Sequence, residues 1–462
     1  MRRRRGKIRI LASLGTFRRF RVGARLRGGG GALIGYGTAP SVSTMKVPFR
    51  LLGRRDFGLL WLGEALSQIG DSLNRVALLW FAYQTSHSTL RMSFVGVVQT
   101  IPPLVLGPLI GVTLDRLRKK PALVVISLAR GALVTAIPLL SAAHLLSLNL
   151  LYLIVFVLSV VGAAAGPALS TAVPLLVEAS DLTAANALVQ ATSTVGVLLG
   201  PAVAGLGISL FGISRVFYVD AASFVLFAAC VGFIRLPETV VPARALLSLR
   251  ELAGDLRAGL TFLFREQTGI LVLTLVTGFQ NLGASAFIFM LPGFVNSDIE
   301  AGSLWLGFLW SAFGLGMLLA AASIAMVRTG SVSKMLRIAL LAPVLGGVSI
   351  AALSFVTVKL AAGTLMVIIG WSNAAFNPVV ISVVEGCTPA ALRARVLTTF
   401  NSANMAAVTI GMLAFGWIAD RIGNALTLYG IAAVLLVSAL ALGMVMRIAT
   451  TRRLIENLAV SP

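Results

Sequence analysis

The sequence predicts an all-α polytopic membrane protein, with twelve transmembrane helices in two six-helix pseudo-repeats. Three observations predict it. The 462-residue chain is 58% hydrophobic and only 12% charged, about half the charged fraction of an ordinary soluble domain. Apolar runs of about 20 residues, enough to cross the hydrocarbon core, recur along its length. Short motifs also repeat between the halves at nearly one spacing. Glu178 in VPLLVEASDLTAANALV falls 207 residues before Glu385 in VISVVEGCTPAALRARVL. Gly70 in SQIGDS falls 213 before Gly283 in QNLGAS, and GPLIG (107–111) falls 209 before GMLLA (316–320).

Residues 1–47 form a basic arm, expected to be disordered; positions 1–44 hold eleven Lys/Arg and no acid. Three readings of it are open. It is a stretch upstream of a true start at Met45, a polybasic arm on anionic lipid at about 1 kcal/mol per charge near the surface, or a transit peptide. Without it the net charge falls from +22 to +11. The remaining excess sits in short loops on one side of the membrane, so it marks topology and not a nucleic-acid surface.

The N-terminal six-helix bundle is expected over 48–236, with spans near 58–84, 92–114, 121–144, 148–177, 187–211 and 215–235. A cytoplasmic linker follows at 237–266. In it Leu249, Leu252, Leu256, Leu260 and Leu263 recur at three- and four-residue steps, the pattern of an amphipathic helix. The C-terminal bundle covers 267–450, with spans near 268–292, 303–327, 334–357, 361–384, 396–418 and 425–446, and 451–462 is a tail. Basic residues gather in DRLRKK (115–120), the linker, RTGSVSKMLR (328–337), LRAR (392–395) and the tail, whereas the opposite loops hold Arg91, Arg215, Lys359 and Arg421. That bias places both termini in the cytoplasm of a cell whose inner (plasma) membrane holds the chain. The loop near Glu178 and Asp181 has no Lys or Arg and departs from the trend.

The first span, LGEALSQIGDSLNRVALLW (62–80), is unusual because it carries Glu64, Asp71 and Arg75. An ionised group at the bilayer centre costs about 2.5 kcal/mol or more. Glu64, Gln68, Asp71 and Arg75 occur at steps of four, three and four, so a helix puts them on one stripe, flanked by Ser67 and Asn74. A stripe fits a water-filled cavity better than lipid. Asp71 is the candidate for proton uptake or for binding a cation, and a static ion pair with Arg75, one turn away, is the structural alternative. Ala284 takes Asp71's place in the second repeat. Further candidates for a cavity wall are Arg130, Gln280, Asn281, Asn373 and Asn377. Asp220, early in the sixth span, is expected to cap that helix or face outside water. Glu178 and Glu385 read as structural.

Other chemistries find no support in the residues. Cys230 and Cys387 fall in or beside spans, and His87 and His144 stand apart from other ligands, so no metal site or disulfide framework emerges. No Gly-x-x-x-x-Gly-Lys-Ser/Thr loop is present to bind ATP. No nucleophile–base pair suggests an enzyme, and no cofactor is expected.

Two loop and helix motifs carry a resemblance. After the second span, GVTLDRLRKK supplies Gly111, Asp115, Arg116, Lys119 and Lys120 in the order of the signature loop of the major facilitator superfamily, with Arg118 where that family usually has Gly. In the fifth span, TVGVLLGPAVAGLG places Gly196, Gly200, Pro201 and Gly205 as in the superfamily's antiporter motif, Ala204 replacing one Gly. Read as residues alone, the first is a basic topology loop and the second a small-residue packing face. Residues 48–447 resemble the branch containing macrolide-efflux and enterobactin-exporter proteins. The resemblance implies the major facilitator fold. It implies export of a hydrophobic or amphipathic small molecule of drug, macrolide or siderophore type, by proton antiport with alternating access. The expected partners are that substrate, protons and lipid, for a monomeric chain. A uniporter or importer on the same fold and a non-transporting receptor or scaffold are the alternatives.

Overall fold

The structure is a computed structural model, and it describes residues 50–115, 117–237, 254, 268–297, 302–326, 332–356, 359–388 and 392–458. The basic arm, Arg116, the leucine pattern of the linker and the last residues of the tail lie outside the described residues.

The described secondary structure is helical throughout. The first half contains α1 (Arg55–Ser86), α2 (Thr89–Asp115), α3 (Lys119–Ala142), α4 (Leu148–Gly162), α5 (Ala165–Ala172), α6 (Leu182–Phe211) and α7 (Ile213–Phe233). The second contains α8 (Thr268–Ser297), α9 (Ser303–Met326), α10 (Val332–Leu353), α11 (Lys359–Cys387), α12 (Arg393–Ile422) and α13 (Asn424–Leu458). Each expected span falls on one of these helices, α4 and α5 sharing the fourth. Nine described helical stretches are long and apolar enough to cross a membrane, and a bent pair within Ala179–Phe211 makes ten. The other two expected spans are α1, which carries the charged stripe, and α10, whose apolar stretch Arg337–Leu353 is short. Exposed Val125, Leu139, Leu210 and Leu440 lie on outward faces, as lipid contact requires.

The two halves repeat one packing scheme. α1 packs on α6 and α7, as α8 packs on α12 and α13; α3 lies on α7 as α10 lies on α13. Backbone detail repeats too. Gly212 (φ 81°) ends α6 and Gly423 (φ 87°) ends α12, both in the left-handed region that glycine enters without a Cβ clash. The halves meet through α6 on α9 and α2 on α12, which are the same pairing exchanged between repeats.

The bend in α6 has an identifiable cause. Pro201 lacks the N–H that would bond the carbonyl four residues earlier, at position 197, and its ring crowds that carbonyl. The helix turns by 41° between Gly196 and Leu199, where that hydrogen bond is missing.

Candidate functional site

The polar stripe survives folding, but its ion pair does not involve Arg75. Gln68 donates from Nε2 to Glu64 Oε1 at 2.7 Å. Asp71 Oδ1 accepts from Arg130 Nη2, a guanidinium that reaches across from α3. Arg75 is exposed and makes no ion pair with a described residue. In place of the Asp71–Arg75 pair that stood as the structural alternative, Asp71 makes an interhelical pair. The reason is packing: Arg130 is held in place, its Cζ 4.2 Å from the centre of the Phe224 ring, with Gly162 of α4 leaving room beside it. A guanidinium fixed in this way loses little freedom when it binds a carboxylate.

Asp220 also lies elsewhere than expected. It neither caps α7 nor meets outside water, being fully buried against α1. Gly70 makes this possible, since a Cβ there would lie 2.5 Å from Asp220 Oδ1 and would also strike Ser223. Ser223 Oγ donates to the Asp220 carbonyl at 2.7 Å and approaches its Oδ1 at 3.5 Å. Asp220 Oδ2, Asn74 Oδ1 and Arg130 Nε are buried without a hydrogen-bond partner. Asp71, Arg130 and Asp220 interact electrostatically as one cluster, with the Asn74 side chain facing Asp220. Asp71 stands at its rim with a side chain 23% exposed, and Arg130 at 15% bridges toward Asp220.

The second half answers this cluster with amides. Asn281 on α8 donates to Asn404 Oδ1 on α12 at 3.1 Å and lies 3.4 Å from Asn377 Oδ1 on α11. Asn377 donates back to Asn281 Oδ1 at 3.1 Å, and Asn404 donates to the Phe400 carbonyl at 2.7 Å. At the 213-residue offset Asn281 occupies the place of Gln68. Gln280 is buried and accepts from Ser438 of α13 at 2.6 Å, and with Asn373 it lines a small space inside the second bundle. The structure therefore groups Asn281 with Asn377, and sets Gln280 and Asn373 apart from them.

The two sequence motifs do mechanical work. Lys119 Nζ donates to the Leu114 carbonyl at 2.8 Å and Lys120 Nζ to the Ile234 carbonyl at 2.9 Å. Both cations therefore sit at helix C-terminal ends, where they complement exposed carbonyls and the macrodipole. Gly111 and Asp115 close α2; Arg116 lies outside the described residues. In α6, Gly196 and Gly200 press against Gln68 and Ser72 of α1. One turn further Gly205 faces the other half, where a Cβ would lie 2.7 Å from Gly307 Cα. The glycine face thus connects the stripe helix to the opposite bundle.

Contacts between the halves cluster at the end where α1 runs into α2. There Asp420, at the end of α12, caps α2: Oδ1 accepts from Thr89 N at 2.7 Å, and Oδ2 from Ser88 Oγ at 2.5 Å and Leu90 N at 3.3 Å. The carboxylate satisfies two of the free N–H groups that every helix start presents. Gly416 lies on Leu90 and Ser93, and Gly293 on Tyr83 and Thr89. On the opposite end Arg54 binds Glu178 at 3.0 Å and Asp181 at 3.1 Å, a contact inside the first half.

Sequence reasoning missed Ser223, Phe224, Asn404 and Asp420, and gave Asn74 only a place beside the stripe. The three-residue spacing of Asp220 and Ser223, and the polar run NSAN in α12, were the signals available.

Known proteins resemble this chain over the same helices. Macrolide efflux protein A of Streptococcus pyogenes is 25% identical over 39% of this chain, a match spanning only 45% of that protein's length. Multidrug efflux pump Tap of Mycolicibacterium fortuitum is 28% identical over 79% of this chain and 90% of its own. The crystal structure of the nucleoside transporter NupG superposes with a TM-score of 0.66 at 16% identity, covering 84% of this chain and 99% of that one. The family model described as "Transmembrane secretion effector" matches residues 46–457. A multi-helix membrane chain whose two halves share a packing scheme, and whose residues 46–457 match this model, belongs to the transmembrane secretion effector family of the major facilitator superfamily.

Proposed function

We propose that this protein exports a hydrophobic or amphipathic small molecule and is driven by protons moving inward. The helices form twelve spans across the plasma membrane, and both termini are cytoplasmic. The observation that carries the reading is the Asp71–Arg130 ion pair in a largely apolar helix bundle. Such a pair is costly in a membrane and weak as a source of stability, so its retention suits a site that exchanges charge. Macrolide efflux and multidrug efflux among the relatives support the direction and substrate class. With the termini cytoplasmic, the Asp420 cap lies on the outer face, so the described conformer is closed outside. Alternating access then requires that cap to break.

In this scheme the chain binds substrate between the stripe of α1 and the amides of α8, α11 and α12. Asp71 changes its charge as a proton arrives or leaves, and Arg130 is released or recaptured. The glycine face of α6 passes the resulting shift of α1 to the α6–α9 contact.

The test is a resistance and export screen in an efflux-deficient bacterial host, using macrolides, tetracycline, ethidium and a siderophore. The reading expects resistance to at least one compound, together with its energised uptake into everted vesicles. Uptake that survives collapse of the pH gradient would overturn proton coupling and leave a uniporter. No transport of any compound would favour the receptor alternative.

A further inference from the structure

We propose that Asp220 and Asp71 form a two-carboxyl proton relay, in which Arg130 neutralises one while a proton neutralises the other. The proposal rests on the antiport reading but concerns a residue outside its cavity stripe.

Charge accounting carries the argument. Asp71 and Asp220 would contribute two negative charges, and Arg130 one positive charge. The cluster lies among buried residues of α1, α3 and α7, with Asp220 fully enclosed. An uncompensated charge in such a place is expensive enough that side chains give it up by binding or losing a proton. One proton makes these three groups neutral.

The hydrogen-bond inventory points the same way. Asp220 Oδ2 and Asn74 Oδ1 are both buried, with their residues 0% and 5% exposed, and neither meets a donor at full hydrogen-bond geometry, although the Asn74 side chain faces Asp220. An ionised carboxylate can only accept hydrogen bonds, whereas a protonated one donates. A proton on Asp220 turns one orphaned acceptor into a donor. A metal cation fits poorly here, because the guanidinium of Arg130 already stands in the cluster and Asp71 Oδ1 is occupied by it.

The charged groups facing Asp220 are Asp71 from α1 and Arg130 from α3; Ser223 on its own helix and Asn74 on α1 are the neutral polar neighbours. Glu64 lies two turns along α1, bonded to Gln68, and interacts electrostatically with Asp71 and Arg130 but not with Asp220. In the described conformer Arg130 holds Asp71, and Asp220 keeps the proton. When Arg130 turns to Asp220, the O–H bond of Asp220 breaks and its carboxylate takes the guanidinium. Asp71, left without its partner, takes up the proton. One proton moves from the enclosed carboxyl to the rim, one guanidinium moves back, and the cluster stays neutral at each stage. Arg130 therefore decides which carboxyl is open to exchange.

Infrared spectroscopy of the full chain reconstituted in lipid tests this without any substrate. The wild type should show, at neutral pH, the C=O stretch of a protonated carboxyl that shifts on deuteration. Asp220→Asn should abolish that band, and so should Asp71→Asn, because Arg130 then balances the remaining carboxylate alone. Glu64→Gln should retain it. Size-exclusion profiles and tryptophan fluorescence verify that each variant is folded; a band missing only from misfolded variants does not count, and the Asp71→Ser and Asp220→Ser pair replaces them. A wild type without the band, a band that survives either carboxamide variant, or one lost only in Glu64→Gln overturns the relay. So does stabilisation by sodium that requires Asp220. A chain with the band but no response to a pH gradient keeps the relay and loses the antiport reading; proton-driven export without the band does the reverse.

Discussion

The two halves share a packing scheme and differ in what they bury. At the heart of the first, α1, α3 and α7 enclose Asp71, Arg130 and Asp220. In the second, the equivalent helix α8 turns its polar groups toward α11 and α12 instead, where Asn281, Asn377 and Asn404 are all neutral. Ala284 stands where Asp71 does. Duplication of the fold therefore did not require duplication of the charge. Helix contacts are satisfied in both halves by the same device of glycine against a neighbouring helix, at Gly70 and at Gly283. What differs is the chemistry placed on that scaffold: a group that can change charge in one half, and amides that can only exchange hydrogen bonds in the other. The difference suggests a division of labour, with ion coupling in the first half and recognition of neutral polar groups in the second.

The largest effect should come from removing Arg130. Arg130→Ala leaves Asp71 without its cation beside a second carboxyl, and breaking such a buried pair costs about 3–5 kcal/mol. We expect loss of folded protein, read as the monodisperse yield after extraction. Asn404→Ala, the matching change in the amide cluster, should leave the yield near wild type. Equal losses would remove the contrast between the halves.

Crowding the α6 face comes next. Gly200→Val forces a side chain against Ser72, and overpacking of this kind typically costs about 1–3 kcal/mol. The midpoint of thermal unfolding should fall, and transport should fall with it, because the same face seats the stripe helix.

The outer cap should give a smaller, directional effect. Asp420→Ala removes a helix cap worth about 0.5–2 kcal/mol. Since the cap exists only when the halves meet at that end, its loss should move the population toward the outward-open form by a factor of about 2 to 30. Labelling rates of single cysteines placed on either side of the bundle measure this. Unchanged rates would mean that Asp420 only finishes α2.

The smallest effect should be in the amide cluster. Asn377→Ala deletes neutral hydrogen bonds, worth about 0.5–1.5 kcal/mol each. It should raise the apparent KM for export by about 2- to 12-fold and leave the response to the pH gradient unchanged.

Much of the fold was legible in the sequence. Apolar run length sets where a helix can cross, and most spans end within a few residues of the helices because basic loops and glycines such as Gly212 mark the turns; α13 instead runs on to Leu458, past the apolar stretch and into the expected tail. The stripe was legible because Glu64, Gln68 and Asp71 are neighbours along one helix. Its partners were not. Arg130 and Asp220 lie 59 and 149 residues from Asp71, and helix periodicity says nothing about which helix stands alongside. Arg75 misled because one-turn spacing permits a pair without ranking it against a guanidinium already fixed on Phe224. Asp420 escaped for a related reason: a cap usually comes from the residue before its own helix, and this one comes from the other half.

The most direct test of the central claim is export by everted vesicles with an imposed pH gradient, using a compound identified in the resistance screen. Wild-type vesicles should accumulate it when acid inside, and should release it when the gradient is collapsed. Asp71→Asn should bind the compound but lose the response to the gradient, while Asn377→Ala keeps the response with weaker apparent affinity. Gradient-driven accumulation that persists in Asp71→Asn would contradict the assignment of ion coupling to the first half.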